Sequence, residues 1–158
     1  MRSAFPIALG LCAVLLAGAA AAQPLSSGEI VVTNNVASDA SENAVLRVNP
    51  NTGAARPLAR IELLRDAQRL APTPDGDVYA AQSGLYVYRI DAETGAQTQI
   101  TRTLQGISDL ALAPGGDLLV LENGDRLLRL DPATGATTLE SSLSELATAS
   151  RIAVRSET

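Results

Sequence analysis

A nine-residue phrase occurs three times in this chain and constrains its architecture more than any other feature. It reads Leu46-Arg47-Val48-Asn49-Pro50-Asn51-Thr52-Gly53-Ala54, then Tyr88-Arg89-Ile90-Asp91-Ala92-Glu93-Thr94-Gly95-Ala96, then Leu128-Arg129-Leu130-Asp131-Pro132-Ala133-Thr134-Gly135-Ala136. The arginines stand 42 and then 40 residues apart. Self-similarity at a fixed period of this size marks a repeat architecture. In each copy apolar residues flank the arginine, the alternation of a strand with one face buried and the arginine on the other. Asn49, Asp91 or Asp131 comes next, and its short side chain can accept hydrogen bonds from backbone amides just ahead and start a turn. Pro50 and Pro132 carry the φ that the first central turn position needs. The closing glycine can take positive φ and let the chain reverse. Second strands are expected over residues 55–59, 97–101 and 137–140, so each phrase is a β-hairpin.

A second feature repeats in step with the first. Pro74-Asp75-Gly76-Asp77 and Pro114-Gly115-Gly116-Asp117 are again 40 apart. Each lies between two short apolar stretches, Leu70–Ala71 and Val78–Ala81 in one case, Leu110–Ala113 and Leu118–Leu121 in the other. One period therefore holds four short antiparallel strands, the blade of a β-propeller. The fold class expected is all-β, with about three four-stranded blades per chain.

The two ends carry different information. Arg2, the apolar run from Ala4 to Ala19 and the small residues Ala20-Ala21-Ala22 before Gln23 have the form of a secretory signal peptide. The expected division is a leader over 1–22 and a three-repeat propeller domain over 23–158, periplasmic or secreted. Glu29–Thr33 matches Asp77–Ala81, so the first strand of repeat one is missing. Arg151-Ile152-Ala153-Val154 aligns with Arg69-Leu70-Ala71-Pro72, the first strand of a repeat. The expectation is that the C-terminus supplies the first blade's inner strand. Propellers typically have four to eight blades, so three arrangements stay open. Two chains could share a six-bladed ring as a homodimer, each lending its C-terminal strand to the other. The chain could be a truncated relative of a longer propeller, or three sheets could stack as an open arc. The match between the two ends favours the dimer.

Composition excludes several functions. Removing the leader removes Cys12, the one cysteine, and with it thiol chemistry, thiolate metal ligation and disulfides. Without Arg2, eleven arginines face seventeen acidic residues, a charge of about −6. An acidic chain without lysine, whose mature aromatics are Tyr79, Tyr86 and Tyr88, lacks the basic track and stacking platforms of nucleic-acid binding. Adsorption to anionic lipid is disfavoured for the same reason, so no membrane partner is expected after cleavage. With no histidine and no lysine, neither a Ser-His-Asp triad nor a Ser-Lys dyad can form. Asp75-Gly76-Asp77 lacks the spaced ligands and distal glutamate of a calcium loop and is explained as a turn. Asn123-Gly124 is a two-residue hairpin signal with Glu122 and Asp125 as solvated flanks, and Glu62–Asp66 could form one helical turn.

With these motifs in place, residues 28–155 resemble bacterial exported propellers of the NHL, regucalcin/gluconolactonase and streptogramin-lyase superfamily. The resemblance implies a fold and little chemistry, because the shared motifs form turns. Streptogramin-lyase-like members work through a histidine near the channel, which this chain does not have. Lactonase-like members hold a divalent metal with Glu, Asp and Asn at the channel mouth. The corresponding inner-strand starts here are Arg69, Asp109 and Arg151, a poor cage for a cation that needs oxygen ligands. Asp109 would more simply pair with an arginine of a neighbouring blade. The expectation is thus a non-enzymatic binding or scaffold domain with no catalytic residues, no metal and no cofactor, whose ligand is a small molecule or a protein. The alternative is a truncated or degenerate relative of the metal-dependent lactonase and lyase propellers. Beside the inner-strand trio, the loop holding Asn34, Asn35, Asp39 and Asn43 is a candidate binding surface, because it is a six-residue insertion relative to repeat two.

Overall fold

A computed structural model describes residues 25–26, 28–34, 44–60, 67–82, 84–101, 103–142 and 148–155. Eleven strands are found among them. β1 (Ile30–Asn34), β2 (Ala44–Val48) and β3 (Ala55–Arg60) form a three-stranded sheet. β4 (Ala67–Pro72), β5 (Val78–Gln82), β6 (Tyr86–Ile90) and β7 (Gln97–Thr101) form a four-stranded sheet. β8 (Ile107–Leu112), β9 (Leu118–Glu122), β10 (Arg126–Leu130) and β11 (Thr137–Ser141) form the third, also of four. Within each sheet consecutive strands are antiparallel neighbours, so every sheet is a meander of propeller-blade type.

The repeated phrase makes its turn three times over. Oδ1 of Asn49 accepts the amides of Asn51 and Thr52 at 2.9 and 3.2 Å. Oδ1 of Asp91 accepts those of Glu93 and Thr94 at 3.0 and 2.8 Å, and Oδ1 of Asp131 those of Ala133 and Thr134 at 2.8 and 3.4 Å. The amides of Gly53, Gly95 and Gly135 each donate to the carbonyl of the residue that opens the turn, at 2.8 Å. The following strands then run as the sequence requires.

The arginine of each phrase does more than face solvent. Arg89 reaches back across β5 and β6 to Asp77, with Nε donating to Oδ2 at 2.6 Å. Arg129 pairs with Asp117 in the same way, Nη1 to Oδ2 at 3.3 Å, and Arg47 pairs with Glu29, Nε to Oε1 at 3.1 Å. Glu29, Asp77 and Asp117 occupy one position of the repeat, just ahead of the second blade strand. Each blade thus carries an ion pair that ties the turn before that strand to the strand after it.

The sheets stack in chain order. Val31 and Val45 of the first sheet meet Leu70, Val78, Ala80, Tyr88 and Ile90 of the second. The opposite face of the second sheet, with Ala71, Tyr79, Ala81 and Val87, meets Leu110, Leu118, Val120, Leu128 and Leu130 of the third. In the central sheet, then, side chains at alternate positions face the preceding blade and the following one.

Two expectations change. Within one chain the inner place of the first sheet is not filled by the C-terminal residues, because 151–155 lie beside the third sheet, where the amide of Ile152 donates to Oδ2 of Asp109 at 2.9 Å. Glu122 is not a solvated flank. It is 1% exposed, with Oε1 accepting the amide of Gln105 at 2.6 Å and Oε2 held by Arg126 at 2.6 Å. Burial is tolerated because both oxygens are partnered. The Asn123-Gly124 hairpin forms with φ of 52° and 77° at its two central residues, the positive pair such a turn needs. Glu62–Asp66 lies outside the described residues.

Candidate functional site

The starts of the inner strands and the ends of the second strands meet at one end of the stack. Arg69 opposes Ala81 and Asp109 opposes Leu121, each close to a short connection between second and third strands. These connections are stitched together by backbone bonds. The amide of Ile107 donates to the carbonyl of Gly84 at 2.7 Å, and that of Asn123 to Gly106 at 2.8 Å. Asn34, which closes β1 and pairs with Ala44, belongs to the same end.

Of the inner-strand trio, the structure brings two together. Arg69 and Asp109 approach to 3.6 Å between Nε and Oδ1, and Nε of Arg69 donates to the carbonyl of Ser108 at 2.6 Å. A guanidinium from the second blade is therefore fixed to the start of the third blade's inner strand. The second carboxylate oxygen of Asp109 accepts the amide of Ile152. One side chain, on a residue 9% exposed, joins the second blade, the third blade and the C-terminal segment. The pairing expected for Asp109 is present.

Arg151 follows a different course. Its Nη1 donates to the carbonyl of its neighbour Ser150 at 2.7 Å, and the residue is exposed. Its segment, not its guanidinium, is what reaches Asp109. Ile152 and Ala149, together with Arg151, close a hollow of about 110 Å³ against Leu121 and Leu127 of the third sheet. The hollow is mostly apolar, with the C-terminal segment as one wall.

Asn34 is exposed at the end of β1. Asn35, Asp39 and Asn43 lie outside the described residues. The connection from β1 to β2 is nine residues long against three in each of the other two blades, which agrees with the insertion read from the sequence. Among the described residues no three His, Cys, Asp or Glu side chains gather closely enough to hold a metal ion.

The acidic clasp at Glu29, Asp77 and Asp117 was not anticipated from the sequence. The signal was present, since Asp77 and Asp117 each precede an arginine of the phrase by 12 residues. The electrostatics follow the contacts. The guanidinium of Arg47, with the Ser26 amide, holds the Glu29 carboxyl below the usual carboxylate range. The hydroxyl of Thr73 does the same for Asp75, which is exposed in the preceding turn. Hydrogen bonding to Asp77 raises the Arg89 guanidinium above its ordinary value.

No family model and no curated protein matches the chain. Solved structures do match in fold. YCF48 bound to a D1 peptide aligns with a TM-score of 0.53 at 20% identity, over 74% of this chain and 37% of that one. A gluconolactonase from Xanthomonas campestris aligns at 0.53 and 16% identity, over 65% of this chain and 35% of that one. A second structure of gluconolactonase type aligns at 0.52 and 19% identity, over 65% and 36%. The chain spans little more than a third of the length of these propellers. The likeness is one of fold, and it shows a β-propeller resembling the gluconolactonase and YCF48 structures.

Proposed function

We propose that this chain is an exported, non-enzymatic propeller module that acts by binding. The observation that carries the reading is the commitment of Asp109. In lactonase-like propellers, acidic side chains at this end of the blades would be the metal ligands the resemblance implies. Here the one aspartate of the inner-strand trio is engaged by Arg69 on one oxygen and by the Ile152 amide on the other. A cation at that place would have to displace both and would sit beside a guanidinium, a repulsion between like charges in a half-buried site.

A protein or peptide partner is the favoured ligand class, consistent with the fold-mate that holds a D1 peptide. The long β1–β2 connection, with Asn34 at its base, is the surface proposed to meet it, together with the loop end around Leu85, which is 42% exposed. Export rests on the leader-like residues 1–22. The homodimer sharing one ring is the assembly proposed for the module.

A metal titration tests the non-enzymatic reading. Calcium, zinc and manganese added to the purified chain should leave its melting temperature unchanged and release no saturable heat. Stoichiometric binding that is lost in Asp109→Asn, accompanied by metal-dependent lactone hydrolysis, would replace this reading with the degenerate-lactonase alternative.

A further inference from the structure

The three sheets make two junctions, and both are built from the same positions. At each, the glycine that ends the phrase packs against a backbone carbonyl of the preceding blade's outer strand. A Cβ on Gly95 would stand 3.1 Å from the carbonyl oxygen of Leu58, and one on Gly135 would stand 2.5 Å from that of Ile100. Leu58 and Ile100 are equivalent, each directly preceding the residue that pairs across the bulge, Ala59 and Thr101. Gly53 has the same turn and nearly the same φ, +70° against +72°, yet nothing lies within 4 Å of its Cβ position. The first sheet thus carries one half of a junction with nothing against it among the described residues.

The apolar face agrees. Val78 and Ala80 in β5, and Leu118 and Val120 in β9, are fully buried against the preceding blade. Their equivalents in β1 are Ile30 and Val32, 49% and 37% exposed. The inner edge of β1 is also unpaired among the described residues, whereas β5 and β9 have β4 and β8 there. An exposed apolar face beside an open strand edge is a docking or aggregation surface.

The complementary half lies at the other end of the same stack. Leu121 and Leu127 occupy the positions of Ala81 and Val87, which in the second sheet face the following blade. Over them runs the segment 151–155, whose burial alternates as a strand's does, with Ile152 and Val154 partly covered. Ile152 corresponds to Leu70 and Leu110, the inner-strand residues that pack on the preceding sheet in the two complete blades. The segment is therefore seated one blade beyond the third sheet, as the first strand of a following blade would be.

We infer that the free face of the first sheet is an interface with a second copy of this chain, whose 151–155 segment adds to β1 as its inner strand. This rests on the ring reading above and specifies its joint. Strand addition satisfies the open edge with main-chain hydrogen bonds and fixes register by side-chain alternation. The register follows from Leu70 opposite Ala80 and Leu110 opposite Val120. It puts Ile152 of one copy opposite Val32 of the other, and the outer strand of the first copy's third sheet against Gly53. Applied twice, the joint is reciprocal and closes with two-fold symmetry.

Cysteine pairing tests the register, and Cys12 is the chain's one native cysteine. Two differently tagged full-length chains, one Val32→Cys and one Ile152→Cys, are co-expressed with their leaders into an oxidising compartment. The expected result is a disulfide-linked heterodimer in several-fold excess over the control pair Leu139→Cys and Ile152→Cys, Leu139 being 53% exposed on β11. Gly53→Ala carries the backbone strain of its positive φ but meets no clash within one chain; it should keep the fold by circular dichroism and reduce the dimer fraction. A native dimer by mass that gives no excess of linked product, and whose mass Gly53→Ala does not change, overturns this joint while leaving the homodimer in place. A monomer overturns both. Metal-dependent lactone hydrolysis overturns the non-enzymatic reading and leaves the joint untouched.

Discussion

Gly135 shows how a turn residue becomes a packing residue. Its positive φ is required by the hairpin, and its missing side chain by the Ile100 carbonyl that sits where a Cβ would go. Gly135→Ala therefore meets both backbone strain, about 1–2 kcal/mol for a left-handed residue, and a clash with backbone that cannot swing aside. Denaturant unfolding should show a loss of at least that size. The turn carboxylates make a second residue-scale prediction. Hydrogen bonds from the Thr94 amide and hydroxyl hold Asp91 below its ordinary pKa, and those from the Thr134 hydroxyl and the Ala133 amide do so for Asp131. A group whose folded pKa is depressed adds stability above its unfolded pKa, and that stability is lost as pH falls through the folded value. The melting temperature should accordingly drop on acidification through the carboxylate range. The pair Asp91→Asn and Asp131→Asn, which reproduces the neutral Asn49 of the first copy, should flatten that drop. A drop of unchanged slope in the double variant would show that these turns contribute nothing to it.

At the scale of the element, strands and hairpins were legible because period-two alternation and turn chemistry are local. Every hairpin read from the phrase is present, and its boundaries fall within one or two residues. What local pattern could not show is where strands stop being regular. A bulge falls at the same place in all three blades, between Val45 and Leu46, between Val87 and Tyr88, and between Leu127 and Leu128. Bulges add twist, and no residue type announces these. Glu122 departs from the expected solvated flank for a related reason, since the flank of an Asn-Gly turn is usually wet and its partner, the Gln105 amide, comes from 17 residues away. The clasp from Asp77 to Arg89 belongs to this scale too. Asp77 is 8% exposed, and its Oδ1 also accepts the Ala92 amide at 3.0 Å. Asp77→Ala leaves that buried amide and guanidinium short of a partner and should cost about 1–3 kcal/mol by chemical denaturation. Asp117→Ala should cost less, because Arg129 keeps Glu140 at 2.6 Å.

For the whole molecule, the period of the repeat carries the architecture and the three blade-type sheets of the described residues, while the candidate site was legible in part. Asp109 and its arginine follow from the alignment of repeats. The engagement of the Ile152 amide does not, because it depends on where the C-terminal segment lies in space. That placement also relates the two ends of the stack. Among the described residues the first sheet has three strands and the segment 151–155 lies beside the third, which is the arrangement the proposed joint starts from. The most direct test is the solution mass of the chain from Gln23 onward by light scattering on a sizing column. The expected value is twice the mass of one chain, stable on dilution through the micromolar range. A folded particle of one chain's mass would contradict the shared ring.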